Sequence, residues 1–351
     1  MKIDNQYIKH LLTGLLTLFI VACQEPVKES SLVLITGKIT EDTTWSASKS
    51  YVIDQQVTVE NGATLTIEPG TIIKANPGEA PNVSMLVIAK GGKIMAKGTA
   101  EKPIIFTSIN DNLDPKQNVV SALSDADVGL WGGIIILGNA PIELPSGESE
   151  TFYVGLDPNS ASSYYGGTDA QDNSGVMEYV SVRHGGIFIG TGSESNGITL
   201  CGVGAGTTLQ NIEIFANQDD GIEFFGGDVH VKNLLVHASG DDAIDIDEGF
   251  AGSVSNFIVE LNENSDSAIE VNGITADSER QFSLANGRID GADQILFTMD
   301  DKSKGKITGL TITNSNEMAA QNNASVNVSI EITEENSPAL DAFAWTRARQ
   351  K

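Results

Sequence analysis

The chain has 351 residues, of which 40% are hydrophobic, and its formal net charge is −26 at pH 7. Such a negative surface repels nucleic acid, so we exclude a nucleic-acid-binding function. It also repels acidic glycans unless a cation bridges the two, and it is compatible with calcium. The hydrophobic content is ample for one large core.

The N-terminus has the features of a bacterial secretion signal. Basic residues precede an apolar run, Leu11–Val21, which is too short to span a membrane as a stable helix. The run ends in Ile20-Val21-Ala22-Cys23, which resembles a lipobox. We therefore predict a lipoprotein signal peptide over residues 1–22, a lipid such as palmitate on Cys23, and a polar tether over residues 23–31. The alternative is an ordinary signal peptide with an incidental cysteine.

Lipidation predicts where the protein resides. A lipid on Cys23 attaches the chain to a membrane in the cell envelope, most simply the outer membrane, on a side that the sequence does not define. The chain has two cysteines, so lipidation of Cys23 leaves only Cys201 as a free thiol. An intrachain disulfide is therefore not expected. We expect Cys201 to be a small buried side chain.

Short alternating strands begin directly after the tether. Val57, Val59, Leu65 and Ile67 alternate with polar residues, and Asn61-Gly62 provides a turn. We interpret these strands as the first coils of a repetitive fold.

Two long polar segments, residues 110–129 and 144–172, interrupt the strands. Loops of this length are typically functional or mobile, so we predict two insertions lying over a lateral face. Tyr153, Tyr164 and Tyr165 in the second insertion are candidate ligand contacts. The alternative is that the insertions only cover the fold.

A repeat then becomes visible between residues 209 and 271. Asn211, Asn233 and Asn256 recur after 22 and 23 residues, and each is followed by a second strand and an acidic turn. A fixed period of this length, built from alternating strands, predicts a β-solenoid. Stacked asparagines at the bend should hydrogen-bond to their neighbours above and below.

Strand periodicity also predicts the orientation of the repeated side chains. Alternate residues share a face, so Ile222 and Phe224 and their counterparts point inward, whereas Glu223, Asp245 and Glu270 point outward in one column. The same alignment places a further outward column on the preceding strands. Its members are Arg183, Phe215, His237 and Glu260.

Three stretches carry a family resemblance: GATLTIEPGT, GGKIMAKGTAEKPIIFTS and LWGGIIILGNAPI. They resemble the repeats of right-handed parallel β-helix proteins with the pectin-lyase-like fold, especially lipoproteins of Bacteroidetes, over roughly residues 33–335. The resemblance implies an all-β, single-stranded right-handed parallel β-helix, which we place at residues 32–345. Leu340, Phe343 and Trp345 predict a short helix capping the last coil, followed by a tail at residues 346–351.

The acidic column is the candidate functional site. Stacked carboxylates about 5 Å apart repel one another, so such a site binds a cation, raises a carboxyl pKa or is solvated. Calcium prefers clustered oxygen ligands. The candidate metal ligands are Asp219, Asp220, Glu223, Asp241, Asp242, Asp245, Asp266 and Glu270. A solvated acidic ridge and a catalytic acid–base pair are the alternatives.

The catalytic alternative has two forms. NQDDGIEF and SGDDAIDI resemble the paired aspartates of polygalacturonase-type hydrolases, which would assign Asp219 or Asp220 and then Asp241 and Asp242 to acid–base roles. The next coil departs from that family, because it lacks the Gly-His-Gly and Arg-Ile-Lys motifs. A lyase resembling pectate lyase would instead use calcium and a base, for which Arg183 is the candidate.

We therefore favour a non-catalytic function for this chain. The sequence predicts an envelope lipoprotein that binds a polysaccharide or an envelope protein along a lateral face, with calcium as an optional cofactor. Phe215 and His237 join the three tyrosines as candidate ligand contacts. A polysaccharide hydrolase or lyase remains the alternative.

Overall fold

The computed structural model describes residues 32–114, 119–190, 193–291, 295–314, 327–333, 338 and 340–349. The described residues belong to one compact unit. The predicted signal peptide, Cys23 and the tether lie outside the described residues. Within the described ranges, no helix is long and apolar enough to cross a membrane.

The regular secondary structure of the described residues is almost entirely β-strand, and turns and loops connect the strands. The strands are β1 (Leu32–Ile39), β2 (Thr43–Trp45), β3 (Ser50–Val59), β4 (Thr64–Ile67), β5 (Ile72–Ala75), β6 (Met85–Ile88), β7 (Lys93–Lys97), β8 (Ile104–Ser108), β9 (Ile134–Leu137), β10 (Thr151–Phe152), β11 (Tyr164–Tyr165), β12 (Gly175–Arg183), β13 (Ile187–Gly190), β14 (Ser193–Ser195), β15 (Ile198–Cys201), β16 (Thr208–Asn217), β17 (Ile222–Phe225), β18 (His230–Ser239), β19 (Ile244–Asp247), β20 (Ser253–Glu260), β21 (Ser267–Val271), β22 (Phe282–Asp290), β23 (Ile295–Met299), β24 (Gly305–Thr313) and β25 (Val328–Ile332).

Apart from the antiparallel pairs β10–β11 and β13–β14, the strands stack in parallel into a solenoid whose coils have three faces. Face A contains β2, β4, β7, the first halves of the long strands β12, β16, β18, β20, β22 and β24, and β25. Face B contains the first halves of β1 and β3, then β5, β8 and the second halves of those long strands. Face C contains the second halves of β1 and β3, then β6, β9, β15, β17, β19, β21 and β23. The predicted parallel β-helix is confirmed.

A single residue turns the chain from face A to face B. Asn211, Asn233 and Asn256 adopt φ values of 55°, 57° and 56° there, a left-handed conformation that asparagine tolerates better than most residues. Asn233 Nδ2 donates to Asn211 Oδ1 at 2.7 Å, and Asn256 Nδ2 donates to Asn233 Oδ1. The predicted asparagine stack is confirmed.

The interior is a continuous apolar core built by the inward-facing residues of all three faces. Ile222, Phe224, Ile244 and Ile269 are completely buried and Ile246 is 2% exposed, as strand alternation predicted. Burying such side chains contributes about 1.5–3 kcal/mol each. The core therefore holds the coils in register and positions the outward columns.

The second insertion packs over the outer side of face C. It forms a separate apolar cluster with hairpin β13–β14, in which Tyr153, Leu156, Tyr165 and Ile189 cover outward residues of face C that include Cys201. Tyr153 and Tyr165 are 4% and 3% exposed. These tyrosines, which we predicted as ligand contacts, are packing residues of the insertion.

The C-terminal segment differs from the predicted capping helix. Its described residues form short 3-10 helices at Leu340–Phe343 and Arg347–Arg349, and they lie over the outer side of face B. Phe343 and Ala348 pack with Phe215 and Leu235. The physical reason is that face B presents the apolar residues Phe215, Leu235 and Ile258 outward, and Phe343 packs on them. Trp345 packs against Tyr179.

Candidate functional site

The turn between face B and face C carries a first column of stacked side chains. Asp220 Oδ1 accepts the backbone N–H of Asp242 at 2.9 Å. Asp242 Oδ1 in turn accepts the backbone N–H of Ser267 at 2.8 Å and the Ser267 hydroxyl. Backbone donors in a tight turn need partners, so Asp220 and Asp242 each support the turn of the following coil.

The second acidic column lies on the outer side of face C. Glu223 pairs in register with Asp245, and Asp245 pairs with Glu270, as the repeat predicted. Asn196 Nδ2 donates to Glu223 Oε2 at 2.5 Å. Asp245 is only 6% exposed, and its Oδ1 has no hydrogen-bond partner among the described residues. The column therefore contains a buried carboxylate oxygen that lacks a donor.

The two columns meet in three groups of carboxylates. Within each group, one oxygen from every member lies within 4.8 Å of the others. Every predicted metal ligand except Glu270 belongs to at least one group. The groups are Asp219–Asp220–Asp241, Asp220–Glu223–Asp245 and Asp241–Asp242–Asp266. We call the members of these groups the acidic cluster.

Burial and mutual repulsion raise the pKa values of the cluster. The pKa of Asp219 rises to about 8, first because it is desolvated and then because Glu194 and Asp241 lie near it. The pKa of Asp242 also rises to about 8, through desolvation and Glu270. Desolvation is likewise the first cause that raises the pKa of Asp245, followed by Asp220 and Glu223. The cluster is therefore costly to ionise without a cation.

A neighbouring pair of acids extends this environment along the coil. Burial and Glu270 raise the pKa of Asp247 to about 6, and burial raises that of Glu248 to about 7. Tyr165 donates its hydroxyl to Glu248 Oε1 at 3.0 Å. The insertion over face C thus supplies a donor to one of these acids.

Sequence reasoning missed Glu194 and Asn196. The register pairs Ile198 with Ile222, so Asn196 stands one coil before Asp220, and extending the repeat backward would have identified it. Glu194 lies in hairpin β13–β14, outside the repeat. No pattern in the sequence indicates that it approaches Asp219.

Arg183 does not join the acidic cluster. Its Nε donates to Ser181 Oγ at 2.7 Å, and its Nη2 lies 3.4 Å from Glu213 Oε2. Glu213 is completely buried. The charge of Arg183 is therefore matched on face B, whereas the acids lie at the next turn and on face C.

The remaining predicted ligand contacts lie in different environments. Phe215 is 2% exposed, and its ring stacks on His237 with centroids 4.9 Å apart. His237 Nδ1 lies 2.8 Å from Glu260 Oε2. Tyr164, by contrast, lines a cleft of about 530 Å³ together with Glu60 and other polar residues, and its hydroxyl donates to the Pro158 carbonyl.

Comparison with known proteins agrees with this architecture. The family model described as "Pectate-lyase like beta helix domain" matches residues 37–337. The search of curated proteins gives no match. The match spans all three faces and the acidic cluster.

Proposed function

Because this chain belongs to the family of pectate-lyase-like β-helix domains, we propose that it binds a glycan along face C, with calcium held by the acidic cluster. Parallel β-helices offer long lateral faces on which an extended polymer can lie. A cation would also bridge this negative chain to an acidic polysaccharide.

The observation that carries the proposal is the environment of Asp245. A buried carboxylate oxygen without a donor costs about 1–3 kcal/mol or more. Asp220 and Glu223 lie beside it, and their negative charges raise the pKa of Asp245 further. A cation that touches all three carboxylates would supply the missing positive charge.

Calcium suits this arrangement better than the other common cations. It takes about 6–8 oxygen ligands in flexible geometry, including both carboxylates and carbonyls. The cluster offers only oxygen atoms, without the histidine or cysteine ligands that zinc prefers. Asp220, Glu223 and Asp245 would hold the ion, and Asp219 and Asp241 lie at the neighbouring group.

The open cleft beside the second insertion supports a glycan as the ligand. Tyr164 offers an aromatic surface there, and Glu60, Lys90, Glu150 and Asn159 offer hydrogen-bonding groups. Sugars are commonly bound by this combination of an aromatic platform and polar side chains. An envelope protein on the same face is the other partner that this surface allows.

A polysaccharide hydrolase or lyase is the second candidate function. Asp219 and Asp242, with pKa values of about 8, would be protonated at neutral pH, as a general acid requires. Asp242 nevertheless uses one oxygen to support the next turn, and Arg183 is paired with Glu213. These two facts favour binding over catalysis.

Calcium titration with thermal melting tests the proposal. We expect binding by calorimetry and a higher melting temperature, corresponding to about 2.7 kcal/mol at a calcium concentration 100-fold above Kd. Asp245→Asn should abolish both effects while raising the stability without calcium. The matched control Asp277→Asn removes an exposed charge and should change neither.

The other outcomes distinguish the alternatives. An absence of heat and of any melting shift in the unaltered chain would reject the calcium site. Turnover of an acidic polysaccharide that Asp241→Asn abolishes would favour the enzyme, whereas retention of the polysaccharide without turnover favours the binding function.

We also propose that a lipid on Cys23 anchors the protein to the outer membrane. The support is the order of basic residues, apolar run and Ile20-Val21-Ala22-Cys23. Mass spectrometry of the membrane fraction should find an acylated N-terminal cysteine, and Cys23→Ser should release the chain. An unmodified Cys23 would reject the anchor.

A further inference from the structure

A cavity of about 940 Å³ lies on the outer side of face B, near the first coils. Its volume is at the upper end of the roughly 300–1,000 Å³ that is usual for small-molecule sites. The walls are mainly apolar, as such sites require. They include Ile72, Ile105, Leu113, Val119, Val120 and Trp345.

The guanidinium groups of Arg183 and Arg347 also line this cavity, together with the charged side chains of Lys102, Glu101 and Asp125. Glu213 matches the charge of Arg183, as described above. Arg347 lies over the ring of Phe215, with its Cζ 4.5 Å from the ring centroid, and its Nη2 donates to the Leu123 carbonyl. The two arginines therefore share one wall but have different partners.

Arg347 has hydrogen-bonding capacity that the fold leaves unused. Its Nη1 is buried without a hydrogen-bond partner, and no ion pair joins its guanidinium to a carboxylate, within the residues that the structure describes. Burial and the nearby Arg183 lower the pKa of Arg347. The charges of Asp111, Glu213 and Asp125 act on Arg347 in the opposite sense and raise its pKa, but its Nη1 still lacks a hydrogen-bond acceptor among the described residues.

A bound anion would supply the hydrogen-bond acceptor that Arg347 Nη1 lacks. A guanidinium binds a carboxylate through parallel hydrogen bonds, and such charge-assisted bonds are stronger than neutral ones. The low dielectric of an apolar cavity strengthens the interaction further. The surrounding apolar walls leave space for a hydrocarbon chain or ring, rather than for a strongly hydrated ligand.

We propose that this cavity binds a small organic carboxylate with an apolar body, whose carboxylate lies on Arg347 and whose apolar part lies along Ile72, Ile105 and Leu113. The site is on face B and uses none of the acidic cluster. The test of this proposal is therefore independent of calcium binding and of glycan binding on face C.

Fluorescence of the purified full chain offers a direct test, with terminally brominated decanoate as the probe. Bromine quenches only nearby indoles, and Trp345 lines the cavity whereas Trp45 and Trp131 are buried in the core. We expect saturable quenching that Trp345→Phe abolishes. The neutral brominated decanol should bind at least about tenfold more weakly, because it lacks the charge that Arg347 recognises.

Two variants test the role of the charge. Arg347→Gln should weaken decanoate binding at least about tenfold, as should Val120→Asp, which adds a negative charge to the wall at a side chain that is 82% exposed. The matched control Arg288→Gln removes a guanidinium that does not line the cavity and should bind normally. Val120→Asp keeps the test valid if Arg347→Gln does not fold.

Three results would overturn the proposal. Equal affinity for the acid and the alcohol would identify a plain apolar surface, and unchanged affinity in both Arg347→Gln and Val120→Asp would place the anion elsewhere. Quenching that persists in Trp345→Phe would show that the probe does not occupy this cavity.

Discussion

The two turns on either side of face B both stack identical side chains, but one stack is neutral and the other is acidic. At the bend from face A to face B, Asn211, Asn233 and Asn256 form a chain of amide hydrogen bonds. At the turn from face B to face C, Asp219, Asp241 and Asp266 follow one another in successive coils of the same repeat, and their oxygens have no protons to share when ionised.

The difference follows from the chemistry of the two groups. An amide both donates and accepts, so every asparagine satisfies its neighbours, and each added coil extends the stack without charge. An ionised carboxylate only accepts, so each added coil increases repulsion. Repeated asparagine therefore stabilises the solenoid by itself, whereas repeated aspartate needs a proton, a cation or a donor such as the backbone N–H groups that Asp220 and Asp242 accept.

The largest expected effect concerns the protonation of the acidic turn. The folded pKa values of Asp219 and Asp242 are about 8, above the unfolded value of about 3.9. Stability from these groups is complete below the unfolded pKa and is lost as pH rises through about 8. Without calcium, each such carboxyl should lower the free energy of unfolding by up to about 1.4 kcal/mol per pH unit.

Urea unfolding in EDTA between pH 6.5 and pH 9 measures this loss. The lower limit of about 6.5 is chosen because the folded pKa of His184 is lowered to about 4 from about 6.5, so its contribution is lost on acidification below that pH. Saturating calcium should flatten the profile, because the cation replaces the protons. Stability that stays constant without calcium would show that the carboxyls are ionised and well solvated.

The coils and the outward columns could be predicted because their signal is local. Alternation defines which residues of a strand face outward, and the spacing of Asn211, Asn233 and Asn256 defines which residues stack. The column of Glu223, Asp245 and Glu270 followed from these patterns alone. Its degree of burial did not, because burial depends on what lies above the face.

The segments that cover faces B and C could not be predicted from the repeat, because their contacts are not local in sequence. The insertion places Tyr153 and Tyr165 on face C, and the C-terminal segment places Phe343 on face B. Each contact joins residues that are far apart in sequence, so no sequence periodicity predicts it. The spacing of Phe343 and Trp345 indicated an apolar surface, but not which surface would receive it.

An effect of similar size is expected from breaking the asparagine stack. Asn233→Ala removes the hydrogen bonds to both Asn211 and Asn256 and places alanine at φ 57°. Two hydrogen bonds at about 0.5–1.5 kcal/mol each and a left-handed residue at about 1–2 kcal/mol predict a loss of about 2–5 kcal/mol. Urea unfolding measures it, with the exposed Asn264 providing the control Asn264→Ala.

Asn233→Asp places one carboxylate in the neutral asparagine stack. The new carboxylate still accepts from Asn256, but when ionised it no longer donates to Asn211 Oδ1, so an acceptor faces an acceptor. We expect a loss of about 1–3 kcal/mol at neutral pH, with part of it recovered near pH 4, where the protonated acid donates again. Recovery is measured relative to the unaltered chain at each pH, which removes the titration of all other groups. An equal loss at both pH values would mean that the amide stack is held by shape, and that charge does not explain the contrast between the two turns.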